Sequence, residues 1–197
     1  MLDRPVRNLE RKGSMTTGAW SAALDEHDVA VRELIAICER IPAGRWHEAP
    51  ALGKWSPSEV VLHLCRAYEL GRDAGDGGPG MRLRVSPSRA WALRTFLLPV
   101  ILLTRRFPRG VRAPAEVVPD AATSERWMPD VAIARLECVA EEAAVALRRG
   151  ADTPPARRVT HAYFGSLTPR TALRVLSAHT THHARGLALL TLPADTR

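Results

Sequence analysis

The sequence predicts an all-α protein: an antiparallel four-helix bundle with an extra kinked helix between its second and third helices. Three observations carry this. Ala, Leu, Val and Arg dominate, while aromatic residues make up only 5% of the 197 residues, a balance that favours helices over sheets. Four long segments repeat their apolar residues at spacings of three and four. Two of those segments open on Ser or Thr followed by Pro, the pattern of a capped helix start. A chain of this length fits one compact core.

Residues 1–18 are polar and charged at their start and are expected to form a flexible arm, with one bundle domain over 19–192. The first helix is expected from about Ala19 to Ile41, with Leu24, Val31, Leu34, Ile35 and Cys38 as its apolar stripe. Pro42-Ala43-Gly44 ends it. The second has the clearest start: Ser56-Pro57-Ser58-Glu59 reads as a capping box, in which the Ser56 hydroxyl accepts from the Glu59 N–H and the Glu59 carboxylate reaches back. Trp55, just before the cap, is expected to pack on the first turn. This helix should run to about Arg72 and carries His63 in mid-course. Gly71–Gly80 reads as a flexible loop, and it lacks the Lys-Ser/Thr of a phosphate-binding loop.

The stretch Trp91–Leu103 is the most apolar of the chain. It is too short to span a bilayer and contains Arg94 and Pro99, so it reads as a buried or interface helix kinked at Pro99. The third long helix is expected over Pro129–Arg149, with Gly150 just past its end. The last begins at Thr168-Pro169, runs to about Leu190 and carries His179, His182 and His183.

The net charge of +7 comes almost wholly from arginine, since Lys12 and Lys54 are the only lysines. Charge alone does not make a nucleic-acid-binding protein. No zinc finger, RNP-type motif or helix-turn-helix is evident, so nucleic-acid association through Arg105, Arg106, Arg109 and Arg112 ranks last among the readings. Cys38, Cys65 and Cys138 are odd in number and far apart, each within an apolar helical pattern. They are expected to be reduced, buried thiols of a cytoplasmic protein.

Chemistry points to the histidines. His179 and His183 are four apart on a helix, so their rings face one spot. They continue the apolar stripe 176, 179, 183, 187, 190 and so face the core, where imidazoles need partners. Two imidazoles at that spacing form half of a common metal site. His182, turned about 100° from His183, is expected to face elsewhere. His63 is the best candidate for a third ligand, because it sits mid-helix among Val60, Val61, Leu62 and Leu64. His27 lies among acidic residues, His47 in an irregular link and His161 in a loop, so all three are weaker candidates.

A family resemblance rests on two separated motifs. Gly53-Lys54-Trp55-Ser56, with Glu59 and His63-Leu64 following, resembles the GKWS…E…HL signature of the DinB/YfiT-like superfamily. Gly165-Ser166-Leu167-Thr168 and His179-Thr180-Thr181-His182-His183 resemble its G-x-L-T and HxxHH motifs. The resemblance implies a bundle of four core helices with one divalent metal near one end, held by His63, His179 and His183. The chain departs from the family pattern at Gly186, where Gln is common, and at Ala67, where an acidic residue is common.

Three imidazoles leave coordination positions open, which is the catalytic rather than the structural kind of site. Zinc and nickel suit such donors best; iron and manganese also fit. The functional expectation is a metal-dependent transferase or hydrolase acting on a small molecule. Related bundles include S-transferases that use a low-molecular-weight thiol, so such a thiol is an expected co-substrate. The alternative is a non-catalytic metal-stabilised bundle that binds a ligand or partner. A homodimer is expected from the resemblance and from the surplus apolar helix. Arg66 and Glu69 are the nearest candidate helpers to His63.

Overall fold

Helix α1 (Arg4–Cys38) opens the computed structural model, which describes residues 4–108 and 110–191, with side chains from residue 18 onward except at 121. Residues 1–3, Arg109 and residue 192 of the expected domain lie outside the described residues. Residues 4–18, expected as an arm, continue the first helix instead; Pro5 falls in its first turn, where a missing N–H removes no helix bond. A link then leads to α2 (Pro57–Gly75), whose capping box forms as expected. Glu59 N–H donates to Ser56 Oγ at 3.3 Å, and Ser56 N–H donates to Glu59 Oε2 at 2.7 Å.

Beyond α2 come α3 (Pro87–Ala92), a π-helical turn over Leu93–Leu97, and α4 (Leu98–Thr104), which together form one continuous helical run. The expected distortion at Pro99 is therefore a widened turn just before it. Proline has no N–H to donate to residue 95 and its ring would press on that carbonyl, so the preceding turn opens. The run starts earlier than Trp91 because Ser86 caps it, accepting from the Arg89 N–H at 3.3 Å. The short α5 (Ala121–Ser124) precedes α6 (Pro129–Asp152). A hairpin of β1 (Val159–His161) and β2 (Gly165–Leu167) then leads into α7 (Pro169–Ala188). Val159 pairs with Leu167 and His161 with Gly165, antiparallel. This two-stranded hairpin is a small addition to an otherwise helical chain, and it takes His161 out of the loop assigned to it.

The described chain is thus mostly helical, with one two-stranded sheet. Helix α2 packs most extensively on α6, and α1 on α7; the two pairs meet through α6 with α7 and α2 with α7. Leu34, Leu64, Leu136, Leu147 and Leu173 lie wholly buried where they meet. The α2–α6 contact is made backbone to backbone. A Cβ at Gly75 would lie 2.6 Å from the Ala146 carbonyl carbon, and one at Gly150 would lie 2.6 Å from the Gly75 oxygen. Gly71, Gly75 and Gly150 were read as loop or helix-end glycines, but all three lie inside helices. At Gly75 and Gly150 a neighbouring helix backbone comes too close for a side chain, whereas at Gly71 an added Cβ meets only the end of the Leu176 side chain, at 2.9 Å.

Cys38 and Cys65 are buried as expected, and burial pushes both thiols up to about 12, which leaves them protonated and inert. Cys138 is exposed on α6, contrary to expectation: its position falls on the outer side of that helix. No helix among the described residues is long and apolar enough to cross a membrane.

Candidate metal centre

Two capped helices bring the imidazoles together. The box at Ser56 fixes where α2 begins and so which residues face inward, and His63 is 3% exposed. Thr168 does the same for α7, its Oγ1 accepting from the Thr171 N–H at 3.2 Å. A buried hydrogen bond between Tyr68 Oη and Thr180 Oγ1, 2.7 Å long, joins the two helices one turn from the rings. It links the helix that carries His63 to the helix that carries His179.

The result is a cluster of three imidazole nitrogens. His179 Nε2 lies 3.0 Å from His63 Nε2 and 3.0 Å from His183 Nε2, and ligand atoms of all three residues lie within 4.8 Å of one another. Protons cannot satisfy this arrangement. His63 Nδ1–H donates to the Val117 carbonyl at 2.8 Å, so in the neutral ring its Nε2 carries only a lone pair. His179 Nε2 has one proton at most, so it can make one good bond, while a second nitrogen crowds the same point. A single cation among the three lone pairs removes the conflict. A tetrahedral ion with N–metal bonds of about 2.0–2.1 Å spaces its nitrogens by about 3.3 Å, close to the separations found. The residues present therefore fit a divalent metal.

The electrostatics agree. Burial pulls His63 down to about 4, against the opposing effect of its bond to Val117. Burial, with repulsion among the neighbouring imidazoles, holds His179 and His183 well below the ordinary histidine range. All three rings are therefore neutral near pH 7, the form that ligates metals.

Aromatic rings close the sides of the cluster. Trp55 tilts over His63 with centroids 4.7 Å apart and stacks on His183 at 6.5 Å; Phe107 packs against His179 at 5.4 Å. Above the nitrogens opens a cavity of about 300 Å³, walled by Trp55, Met81, Phe107, Val117, Tyr163 and Leu176 among others. No Asp or Glu among the described residues lines it. His161 does, in a fixed tautomer: its Nδ1 accepts from the Tyr163 and Phe164 N–H groups at 3.2 and 3.3 Å, which leaves Nε2 as the N–H donor. Burial pulls His161 down to about 4, so it too is neutral.

A match to a known family decides where the chain belongs: the model of the DinB superfamily matches residues 23–186. The chain belongs to the DinB superfamily. No curated protein and no solved structure matches it. Both motifs that carried the resemblance lie within or beside this DinB stretch, and the three expected histidines are the three that meet.

Other sequence expectations fare differently in this DinB fold. His182, expected to face away, is half-buried at the cavity wall, and its ring lies 5.7 Å from Phe107. Arg66 turns to the link after α4, donating to the Val118 carbonyl and, at 2.6 Å, to Asp120. It steadies the segment whose Val117 carbonyl holds His63. Glu69 is paired with Arg135. Neither lines the cavity. His27 is buried away from the site, edge-on to Tyr68, and His47 Nδ1 bonds to Ser58 Oγ. Val117 and Phe107 were missed, because both come from irregular links where no periodicity marks which residue turns inward. Trp55 was seen only as a helix-packing residue.

Proposed function

We propose that this protein is a metal-dependent enzyme in which His63, His179 and His183 hold one divalent ion, zinc or nickel, and that it transfers a low-molecular-weight thiol to or from a small apolar molecule. The single observation that carries the metal is the convergence of three neutral imidazole nitrogens with too few protons to bond one another. When bound, the ion supplies Lewis acidity, which makes a coordinated thiol a nucleophile at neutral pH.

The chain's own residues do the rest. His63 is oriented by Val117, and Trp55 and Phe107 hold the rings and exclude water from their sides. The walls are mostly apolar, with Arg112 as the one charged side chain among the described lining residues, and suit a largely apolar substrate body. His161 offers an N–H donor of fixed tautomer to an oxygen or sulfur in the cavity. Among the described residues no carboxylate lines the walls, and His161 and His182 each accept a backbone N–H at Nδ1, which leaves few bases for water attack and favours thiol transfer over hydrolysis.

Elemental analysis of protein purified without a histidine tag tests this reading. About one zinc or nickel per chain is expected, with less than a tenth of that in His179→Ala. A metal-free wild-type protein that takes up neither ion on titration refutes the site. A protein that binds metal and ligand but turns over no thiol adduct belongs instead to a non-catalytic binding bundle.

A further inference from the structure

The run Pro87–Thr104 presents a face that the bundle does not use. Trp91, Phe96, Val100 and Leu103 are 54%, 68%, 52% and 85% exposed, while Ala90, Leu98 and Ile101 on the opposite side are buried. The π-turn makes this outer face continuous. In an α-helix, residues five apart diverge by about 140°; the extra residue in the turn over Leu93–Leu97 brings Trp91 and Phe96 together, edge to face, with centroids 6.1 Å apart. Val100 and Leu103 follow at four and three residues. A distortion forced by Pro99 thus aligns four large apolar side chains in one row.

The stretch of chain that carries the row is one-sided in charge. From residue 77 to residue 115 the chain has eight arginines and no acidic residue, whereas its whole net charge is +7, so the remainder is close to neutral. Glu116 pairs with Arg84 and Glu26 with Arg105. Arg82, Arg89 and Arg106 are exposed and make no ion pair with a described residue; Arg112 is exposed too but lines the cavity. The run is also held firmly: Arg94 donates to the Ser166 carbonyl at 2.8 Å, and Arg185 donates to the carbonyls of Thr104 and Arg105 at 3.1 and 3.0 Å.

We propose that the outer face of Pro87–Thr104 docks on the surface of an anionic lipid bilayer. Exposed Trp and Phe beside aliphatic side chains suit the boundary between headgroups and acyl chains, and unpaired arginines suit lipid phosphates. A second copy seated on the same face would set the arginine-rich stretch against itself, since a two-fold interface is self-complementary. Duplex nucleic acid would use the arginines and leave the apolar row idle. The proposal goes beyond the metal reading and stands whether or not the three imidazoles hold an ion.

Co-sedimentation of the full chain with vesicles tests it, comparing pure phosphatidylcholine with a mixture containing about one third phosphatidylglycerol. Binding to the anionic vesicles is expected to be at least about ten-fold tighter and to weaken as salt rises. The pair Phe96→Ser and Leu103→Ser should lower that binding at least about ten-fold. The pair Arg89→Gln and Arg106→Gln should lower it and flatten its salt dependence. Val145→Ser, exposed on α6, should leave it unchanged. Equal binding to both vesicles, no binding, or indifference to the Phe96 and Leu103 changes overturns the proposal. So does a dimer that parts in that variant without vesicle binding, or duplex DNA binding that needs the arginines but not the apolar row. If the apolar variant loses its helical signal, quenching of wild-type fluorescence by brominated lipid decides, read against Trp91→Phe: Trp91 quenching is expected, and its absence overturns the proposal.

Discussion

Ser56-Pro57-Ser58-Glu59 and Ser86-Pro87-Ser88-Arg89 open two helices with the same serine cap, completed by a carboxylate only at Glu59, and the two helices meet different fates. In each, the first serine accepts from the N–H three residues on, at 3.3 Å, and its hydroxyl touches that of the second serine, at 3.0 and 3.1 Å. Yet α2 is buried on almost every side and delivers His63 to the centre, while Pro87–Thr104 lays one side on the bundle and turns Trp91, Phe96 and Leu103 outward. A cap fixes where a helix begins and hence its phase. What the helix faces is settled by the partners that later pack on it, and α2 has α6 and α7 where the main partners of α3 and α4 are part of α7 and the hairpin.

The largest expected effect separates the two seats. Gly75→Ala puts a methyl 2.6–2.8 Å from the backbone of Ala146 and Leu147, which no rotamer change relieves. It should cost more than about 3 kcal/mol in denaturant titration and loosen the helix that carries His63. Gly165 is the corresponding glycine under α3, with a φ of +67° and an added Cβ 3.4 Å from Ala90. Gly165→Ala should cost only about 1–2 kcal/mol, mainly for the left-handed backbone. Equal losses would mean that the two helices are seated equally deeply, against the comparison.

The same contrast explains what could be read from the sequence. The helix starts at Ser56 and Thr168, the phase of His179 with His183 and the candidacy of His63 were all legible, because they follow from local spacing and capping. The glycines at 75 and 150 were misread: a glycine's local meaning is a break, and its meaning here is the approach of a helix backbone distant in sequence. The cap at Ser86 was overlooked because the apolar run after it begins only at Trp91. Val117 and Phe107 come from irregular links, where no period tells which residue turns toward the imidazoles. The π-turn needed the fold as well, since proline announces a distortion without saying which neighbouring turn absorbs it.

A smaller effect tests how α2 is held in register with α7. Tyr68→Phe leaves the buried Thr180 hydroxyl without its partner and should cost about 1–2 kcal/mol. Adding Thr180→Val should recover part of the loss, because no polar atom is then stranded. Metal content measured alongside gives the sharper reading. If Tyr68→Phe weakens metal retention more than its stability loss explains, the bond positions His63 against His179; if retention is unchanged, the bond serves packing alone.

The smallest effects concern the two caps themselves. Ser56 is 3% exposed, and its neighbour Ser58 ties the cap to His47 at 3.1 Å, so Ser56→Ala removes a buried acceptor from a connected network. About 1 kcal/mol of global stability should go with it. Ser86 makes the same bonds in the open, where water replaces them, and the helix it starts contributes less buried surface. Ser86→Ala should therefore change global unfolding by only a few tenths of a kcal/mol. Its effect should show instead as faster amide exchange at Arg89 and Ala90, whose N–H groups bond to Ser86. A loss at Ser86 as large as that at Ser56, spread over the whole protein, would mean that Pro87–Thr104 unfolds together with the bundle; faster exchange confined to its first turn marks it as an independently opening layer on a more stable core.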